Sequence, residues 1–223
     1  MFISIFDMFT KYELFKALLE TLVMVFVPTI FAYLIGFPLG ILVVITKKGG
    51  IAENRVVNKI LDIIINIGRS IPFIILIIAL MPLSRVILGN AIGLNGMIVP
   101  LIIGSVPFVA RLVQQSLEEV NQGVVDAAIT MGFTKFQIIT KVYLRESIPS
   151  LIKGVALTLI MLIGYSAMSG VVGDTGIGNI AVVEGRINGK LLLLCIVIIV
   201  ILVQIIQVAF DLLAKALDKK RRA

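Results

Sequence analysis

Long runs without charge constrain this chain more than any other feature. Thr21 to Thr46 is 26 residues with none, Val86 to Ala110 is 25, Gly154 to Gly173 is 20 and Leu191 to Phe210 is 20. Ile63 to Ser84 is 22 residues with a single charge, Arg69. About 20 apolar residues cross a bilayer as a helix, because in hydrocarbon every backbone N–H and C=O must be paired within the segment. The runs are apolar at odd and even positions alike, which excludes the alternating strands of a membrane β-barrel. The expected fold is an all-α membrane protein of five transmembrane helices. It forms one transmembrane domain over residues 1–223, with spans at about 21–46, 63–84, 86–110, 154–173 and 191–210. No stretch is left for a separate soluble domain, in keeping with a mean hydropathy of +1.12 and only 15% charged residues.

The first twenty residues mix Asp7, Lys11, Glu13, Lys16 and Glu20, which is unlike a cleavable signal. Phe2, Ile5, Phe6 and Phe9 fall near one helical face, so this segment reads either as a short interfacial helix or as a frayed start. The chain has no His, no Trp and one cysteine, Cys195. That excludes Ser–His–Asp and Cys–His catalysis, Cys/His zinc sites and an internal disulfide. No metal and no cofactor are expected on this chain.

The net charge of +7 has to be read by position. Fourteen of the twenty Lys and Arg fall in three segments: Lys47 to Lys59, 111–153, and the tail from Lys215. Five lie on the other side (Lys11, Lys16, Arg85, Arg186 and Lys190), and Arg69 stands within a span. Basic loops stay cytoplasmic, so the N-terminus is expected outside and the C-terminus in the cytoplasm. This placement also removes nucleic acid as a partner.

Segment 111–153 is then the one sizeable cytoplasmic loop. From Arg111 to Glu119 the third span continues into water. Asn121 can cap a short helix with Asp126 in its early turns, and Gly132 can end it in a left-handed conformation. Thr134 can cap a second helix, Lys135 to about Ser147, with Pro149 following. The two make a knob hinged at Gly132. Ala127 and Ala128 permit close approach, and Ile129, Met131 and Phe133 are apolar enough to fill a pocket.

Asp126-Ala127-Ala128, three residues, Gly132, nine residues, then Val142-Tyr143-Leu144 resemble the EAA loop of ATP-binding-cassette importer permeases of the type I fold. Asp126 stands where Glu is usual and Arg145 where Pro is usual. The resemblance extends over roughly residues 17–210 to the methionine-importer permeases. It rests there on Arg69-Ser70-Ile71-Pro72-Phe73-Ile74, Val106-Pro107-Phe108-Val109-Ala110-Arg111 and Gly164-Tyr165-Ser166-Ala167-Met168-Ser169-Gly170. It implies that the loop docks on an ATPase, with Asp126, Ala127, Ala128, Ile129, Met131, Gly132 and Phe133 as coupling residues. It also implies a homodimer with two ATPase subunits and an extracytoplasmic substrate-binding lipoprotein, in a bacterial cytoplasmic membrane. ATP and Mg would be bound by the ATPase. A separate argument favours the dimer: an ATP-sandwich motor is two-fold symmetric, and this chain carries one knob.

Within the spans, Arg69 beside Pro72 is either a functional site or a side chain snorkelling to the headgroups. Met168, with Tyr165 and Ser166 lining, is placed to close a pathway near the external end of the fourth span, as the resemblance implies; otherwise Met168 is lipid-facing or core filler. Gly185 to Lys190 is one residue short of a phosphate-binding loop and lacks the following Ser or Thr, so ATP chemistry must come from a partner. The expected function is half of the pathway for methionine, D- or L-, or a similar small amino acid. A permease of an ATP-binding-cassette importer for another amino acid or small polar solute is the alternative. A secondary transporter or channel would need intraspan carboxylates, and none of the five runs contains Asp or Glu.

Overall fold

The computed structural model describes residues 9–168 and 174–222, with side chains through Asp218. The described residues contain helices and no strand. In chain order the helices are α1 (Leu14–Thr46), α2 (Arg55–Ser70), α3 (Phe73–Leu88), α4 (Gly93–Glu118), α5 (Gln122–Thr130), α6 (Lys135–Ala167), α7 (Gly176–Val183) and α8 (Gly189–Arg222). Four of them, α1, α4, α6 and α8, are long and apolar enough to cross a membrane; α2 and α3, bent by 102° at their break, reach that length and apolarity only as a pair, as a broken span or a re-entrant loop. The face formed by Phe2, Ile5 and Phe6 lies outside the described residues.

Three expectations are corrected. The run from Ile63 to Ser84 is not one helix: it breaks between Ser70 and Phe73, and Pro72, at φ −58° and ψ 129°, is the N-cap of α3. Proline disfavours helical backbone in the residue before it, so Ile71 ends α2. The turn expected at Arg85 comes later, where Gly89 at φ +79° closes α3 by donating its N–H to the Arg85 carbonyl. The third span accordingly starts at Gly93 and not at Val86. Finally, Pro149 does not end the second helix of the knob. α6 passes through it without interruption, after a wider π turn at Ile138–Tyr143 in which Leu144 N–H bonds the Ile139 carbonyl.

α2 shows apolar and polar side chains outward alike and buries Ile65 against Val43 and Ala110. Val56, Ile60, Ile63, Ile64 and Ile67 are exposed, whereas Asn58 donates from Nδ2 to the Val43 carbonyl and Asp62 pairs with Arg111. Asn54 caps this helix, accepting from the Val57 N–H at 3.1 Å.

By compactness the chain divides into two units. The first comprises Met1–Phe31, Ile71–Ser105 and Leu159–Ile206; the second comprises Ala32–Ser70, Val106–Thr158 and Gln207–Ala223. In the second unit, Gly36 and Gly40 let α1 and α4 touch backbone to backbone. A Cβ on Gly36 would meet the Val106 carbonyl at 2.9 Å, and one on Gly40 the Ala110 carbonyl at 2.6 Å. Lipid tails are as apolar as leucine, so such close packing, more than burial from water, holds membrane helices together. Around this seam Ala32, Val44, Val109, Val113 and Leu117 share one core with Val125, Ala128, Ile138, Val142 and Tyr143 of the knob. The first unit has its own core of Leu14, Ala17, Ile177, Leu191 and Cys195.

Candidate functional site

α5 is built as a free-standing helix that needs no neighbour to define its ends. The Asn121 side chain accepts from Gly123 N–H at 2.8 Å at the start. At the finish Gly132 stands at φ +79°, with its N–H on the Ile129 carbonyl at 2.9 Å and Phe133 N–H on the Ala128 carbonyl at 3.1 Å. These are the paired bonds of a Schellman stop, which a residue with a Cβ would strain. Two residues on, Thr134 and Gln137 bond each other's backbone N–H groups in a capping box that starts α6.

The residues expected to couple sort by face. Val125 and Ala128 point inward and are buried, while Asp126, Ala127, Ile129 and Met131 point outward. Asp126 accepts from Gln122 Nε2 at 3.1 Å. Phe133 is half-buried against the core of the second unit, with the Lys141 ammonium 5.9 Å over its ring, so it supports the knob more than it offers a contact. Met131 is 66% exposed and Phe136, unremarked in the sequence, 74%; Val124 and Ile129 of the same knob are exposed too. Grouped exposed apolar side chains of this kind mark an interaction surface. Phe136 carried one readable signal, an aromatic in the first turn after a capping threonine.

Behind the knob lies a polar network that the charge count did not reveal. Arg111 is only 18% exposed. Its Nη2 donates to Asp62 Oδ1 at 2.9 Å and to Asn66 Oδ1 at 2.6 Å, and its Nη1 to Gln114 Oε1 at 2.8 Å. Gln114 Nε2 donates to Glu118 Oε1 at 3.3 Å, which also receives Lys47 Nζ at 3.1 Å. The motif ending in Arg111 was visible in the sequence; its partners 45 and 49 positions away were not.

The expected gate residues lie in the first unit at the end of α6. The Tyr165 ring stacks on Phe73, with centroids 3.9 Å apart and planes 5° from parallel. Ser166 is buried and donates to the Ile163 carbonyl at 2.8 Å. Met168 is exposed just beyond the helix; Ser169 and Gly170 lie outside the described residues. Arg69 is exposed in the last turn of α2 with no hydrogen bond or ion pair among the described residues, consistent with either reading given to it. The structure brings together on one knob the residues expected to couple.

One carboxylate in the first unit has a defined duty. Glu20 Oε2 accepts from Thr175 Oγ1 at 2.8 Å and Gly176 N–H at 2.9 Å, while Thr21 Oγ1 accepts from Ile177 N–H at 3.0 Å. An anion there satisfies orphan N–H groups at the start of α7 and opposes its dipole. No group of three or more His, Cys, Asp or Glu side chains that can hold a metal ion occurs among the described residues.

Residues 36–223 match the model of the family described as binding-protein-dependent transport system inner membrane component. The chain is 48% identical over 204 residues to the probable D-methionine transport system permease protein MetI of Pasteurella multocida, covering 91% of this chain and 94% of that one. It is 43% identical over 222 residues to the methionine import system permease protein MetP of Bacillus subtilis, covering 96% and 100%. Among solved structures, an inward-facing conformation of the MetNI methionine ABC transporter superposes with a TM-score of 0.90 at 42% identity, covering 93% of this chain and 97% of that one. An amino acid ABC transporter solved with histidines shares the fold alone, with a TM-score of 0.72 at 18% identity. The chain therefore belongs to the family of binding-protein-dependent transport system inner membrane components, with methionine permeases among its relatives.

Proposed function

We propose that this chain is the membrane permease subunit of an ATP-driven methionine importer and forms half of the pathway. It works as a homodimer with two ATPase subunits and an extracytoplasmic substrate-binding lipoprotein, its N-terminus outside and its C-terminus in the cytoplasm. ATP and Mg belong to the ATPase; this chain performs no hydrolysis. The observation that carries the reading is α5: a self-capped helix outside the spans with Ile129 and Met131 exposed, next to an exposed Phe136. Its fit to a cleft on an ATPase is supported by the likeness to methionine permeases along nearly the whole chain.

The mechanism uses the mechanical continuity of α6. This helix is 33 residues long, about 50 Å at the usual rise. Its first turn follows α5 across the Gly132 stop, and its last holds Tyr165 and Ser166 with Met168 just beyond. Closure of the ATPase pair would draw two copies of α5 together, and displacement carried along α6 toward Met168 would open the external side. The domain acts as a single transmembrane unit in this reading.

The test is uptake of labelled D- and L-methionine by the complex reconstituted in proteoliposomes with its ATPase and binding protein. ATP-dependent accumulation of either isomer is expected. Uptake of other amino acids in preference to both would move the substrate assignment, and ATP-independent uptake would sink the importer reading. Met168→Ala is expected to raise leak or uncoupled hydrolysis in the same vesicles; parental values of both would remove Met168 from the gate.

A further inference from the structure

Arg111 closes the Val106–Arg111 motif at the point where α4 leaves its apolar run. Two faces of α4 diverge from here. Val109, Val113 and Leu117 are buried against the Gly36–Gly40 seam and the knob core. Arg111, Gln114 and Glu118, spaced i, i+3 and i+7, form the polar face and reach Asp62 and Asn66 on α2 and Lys47 beyond the end of α1. Glu118 ends α4, and three residues later Asn121 starts the coupling helix. Movement of α5 must therefore displace the C-terminal end of α4, and the side-chain bonds from α4 to α2 converge on one guanidinium.

The energetics argue against a merely stabilising role. A half-desolvated ion pair loses hydration comparable to its Coulomb gain, and well-packed apolar replacements are commonly neutral for stability. What the pair supplies is geometry: a guanidinium donates through a planar fork, so Asp62, Asn66 and Gln114 each fix its orientation. Arg111 Nε is buried and bonds no described group, so the fork retains a donor for a different partner in another conformation.

We propose that Arg111 is a positioning residue that transmits displacement of the coupling helix to α2 through Asp62 and Asn66. This rests on the importer reading. α2 is the half of the broken span that ends at Ser70, so the linkage would deliver the motor's stroke to the helix carrying Arg69.

The experiment compares Arg111→Met, the double variant Asp62→Leu with Arg111→Met, and the exchange Asp62→Arg with Arg111→Asp, in the complex reconstituted with its ATPase and binding protein. The readout is methionine accumulated per ATP hydrolysed, relative to the parent. Arg111→Met and the apolar double variant are expected to retain the ATPase on purification and hydrolyse ATP at the parental basal rate, while the ratio falls about tenfold, within the usual range of coupling between sites. The exchange variant is expected to recover most of the ratio. A parental ratio in the apolar double variant would overturn the proposal, because packing alone would then suffice; so would equal loss of hydrolysis and transport with loss of the ATPase. Should Arg111→Met fail to fold, the double variant decides by itself. A parent complex that hydrolyses ATP without uptake would overturn the importer reading, and this inference with it.

Discussion

Of the twenty Lys and Arg residues, fifteen belong to the second unit and five to the first; of the thirteen Asp and Glu, eight and five. The whole net charge of +7 thus sits in the unit that contains α5, and the first unit is neutral. The kinds of contact differ as well. In the second unit, long charged side chains bond one another across helices, as in Asp62–Arg111 and Lys47–Glu118. In the first, Glu20 and Thr21 bond the backbone N–H groups of α7, and Phe73 stacks on Tyr165. The contrast teaches that charge and mechanics share residues: Arg111 and Lys47, counted in the basic segments, also bond Asp62 and Glu118 across helices of the unit that holds α5.

The sharpest way to break the comparison is at the knob. Met131→Asp with Phe136→Asp should weaken ATPase binding by about 30-fold or more, as loss of an apolar anchor does, and leave permease stability within about 0.5 kcal/mol because both side chains are exposed. Unchanged co-purification would show that the patch is not the docking face. Ala128→Glu should act differently: the buried position turns the substitution into a folding defect of about 3 kcal/mol, read as a lower melting temperature in detergent.

Smaller effects are expected from packing and capping. Gly40→Leu should destabilise by about 1–3 kcal/mol, since a side chain there meets the Ala110 carbonyl and Val113. A tolerated leucine would show that α1 and α4 can separate. In the first unit, Glu20→Ala should cost about 1–3 kcal/mol by orphaning the Gly176 N–H, whereas Glu20→Gln, which keeps an acceptor, should cost less; equal losses would place the effect in charge alone.

The least effect concerns Glu53 in the loop after α1. The Gly49 N–H, then Arg55, hold its carboxyl below the ordinary carboxylate range. A lowered folded value means that the unfolded chain binds the proton more readily, so the contribution is present above the ordinary carboxylate pKa and fades as pH falls through the lowered one. Glu53→Gln should flatten stability against pH in that acidic window alone. An unchanged profile would show that the exposed loop pairing adds nothing to stability.

Much of this was legible in one dimension because its physics is local or one-dimensional. Hydrocarbon thickness requires about 20 apolar residues per span, so charge-free runs announce the membrane helices. The stop at Gly132 follows from the freedom of a residue without Cβ, and the Asn121 and Thr134 caps from side chains that bond backbone two or three residues away. Local rules misled at Pro149. A proline ends a helix in water more readily than one that neighbouring turns and packing carry onward, and α6 continues to Ala167.

The sequence by itself determined the membrane class, the separation of basic from neutral segments, the self-capped knob and the family resemblance. Only the tertiary structure decided which faces those residues present. It turned Ala128 inward and Phe136 outward, broke the second span at Ile71-Pro72, and closed Arg111 onto Asp62 across 49 positions of chain. The reason is physical: a helix's period says which residues share a face, but the partner that covers the face is set by packing between distant segments. An ion pair acquires its weight only when packing takes it out of water.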